Sequence, residues 1–275
     1  MKIGVRAHDF GRKPADELAA EIKSAGFECV QLAPTKAIEG INNFGDITEN
    51  HLEAIKRAFD GNRLEITVFG SYIEPSIQDD EARLKNVGIF NTNLTNARKL
   101  GVKIVGTETT NLNLSATEAE REAAYAKLKD SVLRMTEQAE KEDVFIGIEP
   151  VAEHTLNTPE LTKRLLDEVG SDKLGIIFDP VNLVLPGSIQ NQAEIFGKAF
   201  DLFGDKIVAV HIKDTAIENG EKTWRNIGEG LIDYALIFKR LASLNVNILR
   251  EDAKMDSFKK DIQAMLELIK GGSKK

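Results

Sequence analysis

Cysteine, histidine and long apolar runs are scarce in this chain of 275 residues. Its single cysteine, Cys29, excludes a disulfide within the chain, and we expect a reducing, cytoplasmic compartment. No apolar run approaches the roughly 20 residues that a membrane-spanning helix needs, and the N-terminus shows no signal-peptide pattern. There is no basic block either. The 36 Lys and Arg residues against 44 Asp and Glu residues give a net charge of −8, so we predict neither a nucleic-acid nor a membrane partner.

Short runs of aliphatic and β-branched residues alternate eight times with helix-like segments. Most runs are apolar at successive positions, which is typical of parallel strands that are covered on both faces. The predicted strands are Lys2–Asp9, Phe27–Pro34, Leu64–Tyr72, Val102–Thr109, Val144–Val151, Leu174–Val181, Ile207–Asp214 and Val246–Ala253.

Helix start and stop signals lie between these runs. A proline before Ala15–Ala25 and a glycine after it predict a helix over that range. Ser115 and Glu118 match a capping box that opens a long helix. Thr158 is followed by a proline, which is typical of a helix N-terminus.

Eight strands that alternate with helices predict a single (β/α)8 TIM barrel over residues 1–270, with a frayed polar tail at 271–275. A doubly wound open sheet is the alternative fold. It would normally carry a glycine-rich turn after the first strand, and the segment Ala7–Pro14 has no glycine cluster. No P-loop, nucleophile elbow or CxxC motif is present.

Four consecutive predicted strands end in residue types that ligate metals. They are Glu149, Asp179, His211 and Glu251. One such residue after a strand is often a helix cap or an ion-pair partner, but four at matching positions in a barrel mouth favour a site. Burying three carboxylates without a cation costs several kcal/mol per group, and a divalent ion removes that cost. Three carboxylates and one imidazole suit Mn²⁺ or Mg²⁺, and Zn²⁺ or Co²⁺ would also fit.

The orientation of Glu251 depends on the strand register, because the charged residues Arg250 and Asp252 flank it. Alternate residues of a strand face the same side, so a shift by one residue would turn Glu251 outward. We place Glu251 in the mouth because Val246, Ile248 and Arg250 would then face the helices, where Arg250 can reach around to solvent.

These strand ends, the His211-Ile-Lys-Asp214 motif and the Gly228-Glu-Gly230 motif resemble the xylose isomerase-like TIM-barrel superfamily. That superfamily contains sugar isomerases and epimerases, and also nucleases of the endonuclease IV type. The resemblance implies one divalent metal ion, whose ligands are Glu149, Asp179, His211 and Glu251. It also implies that Glu149 and Glu251 act as acid/base groups on opposite faces of a sugar.

Three positions depart from the pattern of the epimerases. Asn182 stands where the family often has a histidine, and we expect it to bind a substrate hydroxyl. Thr155 and Ile217 stand where the epimerases have a glutamate and an arginine. His154 and Arg225 lie nearby, and we predict that they replace these two groups as substrate contacts.

Other side chains at predicted strand ends are candidate substrate contacts, each with capping, packing or ion pairing as its alternative. They are His8, Tyr72, Glu108 and Lys213. Trp224, after the seventh strand, would suit an aromatic lid over a sugar or a contact between subunits.

The resemblance favours a metal-dependent isomerase or epimerase of a sugar or sugar phosphate, which abstracts a proton next to a carbonyl and forms an enediolate. A dehydratase of a related keto-polyol would use the same site. An endonuclease IV-like DNA repair nuclease is a further alternative, but it needs several metal ions and many histidines, and this chain has four histidines. A non-catalytic accessory subunit also stays open. We expect a small carbohydrate substrate as the partner. The sequence is also compatible with a homo-oligomer, either a dimer or a tetramer.

Overall fold

Eight parallel strands close into a barrel in the computed structural model, which describes residues 1–272. The barrel strands are β1 (Ile3–Arg6), β2 (Cys29–Leu32), β3 (Glu65–Gly70), β4 (Ile104–Glu108), β5 (Phe145–Glu149), β6 (Leu174–Phe178), β7 (Ile207–Ile212) and β10 (Asn247–Arg250). A hairpin of β8 (Asp214–Glu218) and β9 (Glu221–Arg225) follows β7. Each barrel strand lies within one of the predicted runs, and β1 pairs with β10 to close the ring. The (β/α)8 prediction is therefore confirmed, and the open sheet is excluded.

Helices surround the barrel. They are α1 (Ala15–Ala25), α2 (Pro34–Ala37), α3 (Glu49–Gly61), α4 (Asp80–Leu100), α5 (Glu118–Glu142), α6 (Pro159–Val169), α7 (Gln192–Phe203), α8 (Tyr234–Leu241) and α9 (Phe258–Gly272). The predicted frayed tail falls in part on α9, and its residues 273–275 lie outside the described residues. Within residues 1–272, no helix is long and apolar enough to cross a bilayer.

The N-terminus of α5 differs from the prediction. Thr117 is the N-cap, and its N–H donates to the Glu120 carboxylate at 2.7 Å while its hydroxyl accepts from the Glu120 N–H at 3.3 Å. The capping box is therefore formed by Thr117 and Glu120, two residues after the predicted pair of Ser115 and Glu118. The Ser115 hydroxyl instead donates to Asn113 Oδ1 at 2.9 Å, because Ser115 belongs to the preceding turn.

A small apolar layer fills the barrel below the mouth. It consists of Cys29, Val68, Ile104, Ile177, Ala209 and Leu249. Gly106 leaves room for two of these side chains, since a Cβ there would lie 2.7 Å from both Ile177 Cδ1 and Val68 Cγ1. The larger core lies between the strands and the helices, where Phe178 of β6 lies against Phe196 of α7 with ring centroids 6.3 Å apart.

The residues of this inner layer show which side chains point into the barrel mouth, because side chains alternate between the two faces of a strand. Asp179, His211 and Glu251 each follow a layer residue by two positions, so their side chains lie on the same inner face. Arg250 faces the helices, and its Nε lies 2.9 Å from Asp261 Oδ2 in α9. Arg250 is buried in this ion pair, so the expectation that it reaches solvent is wrong.

The β8–β9 hairpin is attached to the mouth by Asp214. Its carboxylate accepts hydrogen bonds from the N–H groups of Gly228 at 2.9 Å and Gly230 at 3.0 Å. A Cβ on Gly230 would lie only 2.1 Å from Asp214 Oδ1, so glycine is required for this close approach. The two sequence motifs that carry Asp214 and the glycine pair thus form one structural unit.

Candidate active site

Three side chains from three strands meet in the barrel mouth. Glu149 ends β5, Glu251 follows β10, and His211 of β7 lies between them. His211 Nδ1 lies 3.0 Å from Glu149 Oε2 and 3.2 Å from Glu251 Oε1. One ligand atom from each residue lies within 4.8 Å of the others, and all three residues are buried. Within residues 1–272, neither of these close contacts nor any other has hydrogen-bond geometry at Nδ1, which suits a nitrogen that ligates an ion.

Gln31 orients the His211 ring. The Gln31 side chain is buried in β2, and its Oε1 lies 2.6 Å from His211 Nε2. An amide oxygen can only accept, so Nε2 carries the proton of this contact and, in the neutral ring, Nδ1 keeps its lone pair. Gln31 Nε2 in turn donates to the Tyr72 hydroxyl. This chain of contacts fixes both the ring orientation and the tautomer.

Asp179 is buried beside the trio but has other partners. Its Oδ1 accepts from the N–H groups of Val181 at 2.8 Å and Asn182 at 3.1 Å. Its Oδ2 lies 3.0 Å from Lys213 Nζ. Burial raises the pKa of Asp179 to about 6, although the Lys213 charge opposes the rise. The structure thus brings together three of the four predicted ligands, and ligation by Asp179 stays a prediction.

Glu149 and Glu251 differ in their surroundings. Asn182 Nδ2 donates to Glu149 Oε1 at 2.6 Å, so this amide, predicted to meet a substrate hydroxyl, holds a site carboxylate. Glu251 Oε2 lies 2.8 Å from Lys213 Nζ and 3.8 Å from Arg6 Nη1. Burial alone would raise the pKa of Glu251, but the Lys213, His211 and Arg6 charges lower it below the usual range.

The same charges act on the imidazole. Burial lowers the pKa of His211, but the facing Glu251 and Glu149 carboxylates outweigh burial and raise it to about 9. A divalent ion at Nδ1 therefore has to displace a proton, which is typical of metal binding by histidine.

Glu108 and His154 lie next to each other on the β4 side of the mouth. His154 Nδ1 is 3.8 Å from Glu108 Oε2. Burial, together with the charges of Glu149 and Glu251, raises the pKa of Glu108 to about 7. Burial lowers the pKa of His154. Glu108 lines the cavity that also contains Glu251, and substrate contact by Glu108 or His154 stays a prediction.

His8 and Tyr72 lie on the β1–β3 side. His8 lies in a short 3-10 helix after β1, and burial followed by the charges of Arg6 and Lys36 lowers its pKa to about 4. Lys36 Nζ lies 3.9 Å from the centroid of the Tyr72 ring. Burial raises the pKa of the Tyr72 hydroxyl.

Arg225 is placed differently from the other predicted contacts. It forms an ion pair with Glu218 of the same hairpin and lines a groove with Asp252 beside the mouth. The structure does not bring its guanidinium to the three clustered side chains.

Sequence reasoning missed three groups at the site: Gln31, Arg6 and the hairpin residue Lys222. Gln31 was detectable as the polar residue two positions after Cys29 in an apolar strand, on the inward face. The hairpin was detectable from Asn219-Gly220, whose positive φ angles of 54° and 84° suit a tight turn. Arg6 gave no such signal, because its site partners Glu251 and Asp252 lie near the other end of the chain.

A cavity of about 350 Å³ adjoins the trio at Glu251. Its wall also includes Asn182, Trp224 and the charged residues Arg6, Glu108, Glu153, Lys213, Glu221 and Lys222. Two carboxylates and one imidazole, with a third carboxylate adjacent, fit a divalent cation that prefers oxygen and nitrogen ligands. Glu149, His211 and Glu251 would hold it.

Comparisons with known proteins agree with the barrel fold. The sequence profile of the xylose isomerase-like TIM barrel family matches residues 19–267. A search of curated proteins finds no significant match.

Solved structures share the fold over almost the whole chain. A D-tagatose 3-epimerase-like protein has a TM-score of 0.79 at 19% identity, with 98% of this chain and 97% of that chain covered. A xylose isomerase-like TIM barrel protein from Mycobacterium smegmatis, in complex with magnesium, has a TM-score of 0.75 at 16% identity, with 99% and 96% covered. A probable 3-DHS dehydratase from Bacillus anthracis has a TM-score of 0.75 at 16% identity, with 97% and 99% covered.

The TM-scores establish a common fold and, at these identities, the fold alone, whereas the profile match covers most of the sequence. The chain belongs to the xylose isomerase-like TIM barrel family.

Proposed function

We propose that this protein is a divalent-metal-dependent isomerase or epimerase of a small keto-sugar, which transfers a proton at the carbon next to a carbonyl. The observation that carries the proposal is the placement of Glu149 and Glu251 on either side of His211 Nδ1. The epimerase-like and magnesium-bound structures of the same fold support both the reaction class and the cation. When bound, a divalent ion would polarise the carbonyl and acidify the neighbouring C–H bond.

The two carboxylates would divide the proton transfer between them. Glu149, held through Oε1 by Asn182, is the base that we assign to the first abstraction. Glu251 lies on the other side of the imidazole, and Lys213 and Arg6 hold it ionised before substrate arrives. Positioned acid–base groups of this kind contribute about 10²–10⁴-fold to a rate. For an epimer, Glu251 would first take up a proton from solvent and deliver it to the opposite face, and Glu149 would release the abstracted proton to solvent. For an isomer, Glu149 would return its proton to the neighbouring carbon.

Deuterium exchange tests the proposal. The Mn²⁺-loaded protein is incubated with a panel of ketoses, ketose phosphates and inosose-like ketones in D₂O, and the products are followed by NMR. We expect deuterium at the carbon next to the carbonyl. Glu149→Gln should slow exchange by at least the factor of about 10²–10⁴ that acid–base catalysis supplies. Glu137→Gln, on the exposed face of α5, is the matched control and should exchange like the wild type.

The products also separate the alternatives. A product without solvent deuterium would indicate a hydride shift and contradict proton transfer. Deuterium together with loss of a hydroxyl would identify a dehydratase, the activity named for the Bacillus anthracis structure. Cleavage of abasic-site DNA with no exchange on any sugar would overturn the proposal.

A further inference from the structure

Lys222 is a half-buried cation in the wall of the cavity, and its surroundings differ from those of the other cations there. Lys213 has the carboxylates of Asp179 and Glu251 as partners, and Arg6 is held by aspartates. Glu153 and Glu221 also line this wall, but among residues 1–272 no carboxylate oxygen lies within 4.0 Å of Lys222 Nζ, whose hydrogen bond goes to a carbonyl oxygen. The ammonium group is thus enclosed without a direct counter-ion.

The Lys222 ammonium also keeps unused donors. It donates one hydrogen bond, to the carbonyl oxygen of Val181 at 2.8 Å, and an ammonium group has three N–H bonds. Burial lowers the pKa of Lys222, although the more distant charges of Asp179 and Glu153 oppose the change. An anion that entered the cavity would restore the favourable interactions that the ammonium loses on burial.

The position of Lys222 connects it to the proposed chemistry. Lys222 and Trp224 are two residues apart in β9, and both line the cavity that contains Glu251. The Val181 carbonyl that accepts from Lys222 belongs to the loop whose N–H groups bind Asp179. One small molecule can therefore contact Glu251, Lys222 and Asn182, the residue that holds Glu149, within a single cavity of about 350 Å³.

We propose that Lys222 binds an anionic group, a carboxylate or a phosphate, that the keto-sugar substrate carries. The assignment rests on the proposed function, because that function makes a sugar the molecule in the cavity. Lys213 and Arg6 are each paired with carboxylates, so among residues 1–272 Lys222 is the cation of this wall that is available for such a group.

Three ketoses that differ at carbon 6 test the assignment: D-fructose, D-fructose 6-phosphate and D-fructuronate. Their dissociation constants are measured by calorimetry on the Mn²⁺-loaded wild type, Lys222→Met, Lys222→Arg and Lys85→Met. Lys85 is exposed on α4, so its substitution makes the same change in net charge away from the site. We expect one anionic ketose to bind the wild type about tenfold to a hundredfold more tightly than fructose, as charged hydrogen bonds allow.

Lys222→Met should remove this preference and leave fructose binding unchanged, whereas Lys222→Arg and Lys85→Met should retain it. The preferred ketose distinguishes a phosphate from a carboxylate. Inorganic phosphate and acetate, titrated at tens of millimolar, probe the anion contact without a sugar, and a preferred anion should bind more weakly to Lys222→Met. The assignment would be overturned if every probe bound equally to the wild type and to Lys222→Met, or if no probe bound to either protein. It would also be overturned if Lys222→Met lost fructose binding as much as it lost binding of the anionic ketose. If anion binding depends on Lys222 but no sugar exchanges deuterium, the proposed function is refuted and the anion site at Lys222 is retained.

Discussion

Replacement of Gln31 by Met tests whether the ring of His211 is held ready for an ion. Gln31→Met keeps the length of the side chain but removes the oxygen that lies 2.6 Å from His211 Nε2. It also removes the amide that donates to the Tyr72 hydroxyl. His211 Nε2 would then be a buried donor without an acceptor, and either ring nitrogen could carry the proton.

The magnitude follows from the orienting role of Gln31. Loss of a partner that orients a metal-ligating histidine typically weakens metal binding about 10–100-fold, which is about 1.4–2.8 kcal/mol. We therefore expect the Mn²⁺ affinity of Gln31→Met to fall by about 10–100-fold. The buried donor that loses its acceptor also costs about 1–3 kcal/mol of folding stability.

A competition titration against a fluorescent chelator measures this affinity, and circular dichroism shows whether the variant is folded. Tyr72→Phe is the matched control, because it removes the hydroxyl but leaves the contact between Gln31 and His211. We expect it to bind Mn²⁺ within a few-fold of the wild type. Wild-type affinity in folded Gln31→Met, or an equal loss in Tyr72→Phe, would refute the proposed role of Gln31.

Two further predictions concern stability. Burial lowers the pKa of His8 from 6.5 to about 4, so between these values the unfolded chain binds more protons and stability falls as the pH falls. In His8→Gln, the decrease in the free energy of unfolding between the upper and the lower end of this pH range should be smaller by up to about 3 kcal/mol. Urea unfolding at both pH values measures this difference, and an unchanged decrease would contradict the prediction. Gly230→Ala places a Cβ 2.1 Å from Asp214 Oδ1, so we expect a loss of about 1–3 kcal/mol in urea unfolding. Gly187, with nothing within 4 Å of its Cβ position, is the control, and equal losses at both glycines would contradict the steric reason.

The strands and their order were predictable because their apolar runs are continuous. Strands such as β6 are covered by the barrel interior on one face and by helices on the other, so they carry few polar residues. The cap of α5 was placed two residues early because Ser115-x-x-Glu118 and Thr117-x-x-Glu120 both match the same pattern. Only the turn that contains Asn113 decides between them.

The site was predictable in its residue types but only partly in its contacts. Strand alternation gives the inward direction of His211 and Glu251, because it is a property of the backbone. The pairing of Lys213 with Asp179 depends on how side chains from neighbouring strands share the mouth, which sequence spacing does not express. The same holds for Asn182, whose amide donates to Glu149, 33 residues earlier in the chain.

Binding of Mn²⁺ to single variants tests the central claim most directly, since the proposed chemistry depends on an ion held by Glu149, His211 and Glu251. Calorimetric titration of the wild type should give one ion per chain. Glu149→Gln and Glu251→Gln should each lose more than the roughly hundredfold affinity that loss of an orienting partner can cost, while Glu137→Gln should bind like the wild type. No ion bound by the wild type, or wild-type affinity in both site variants, would contradict the account.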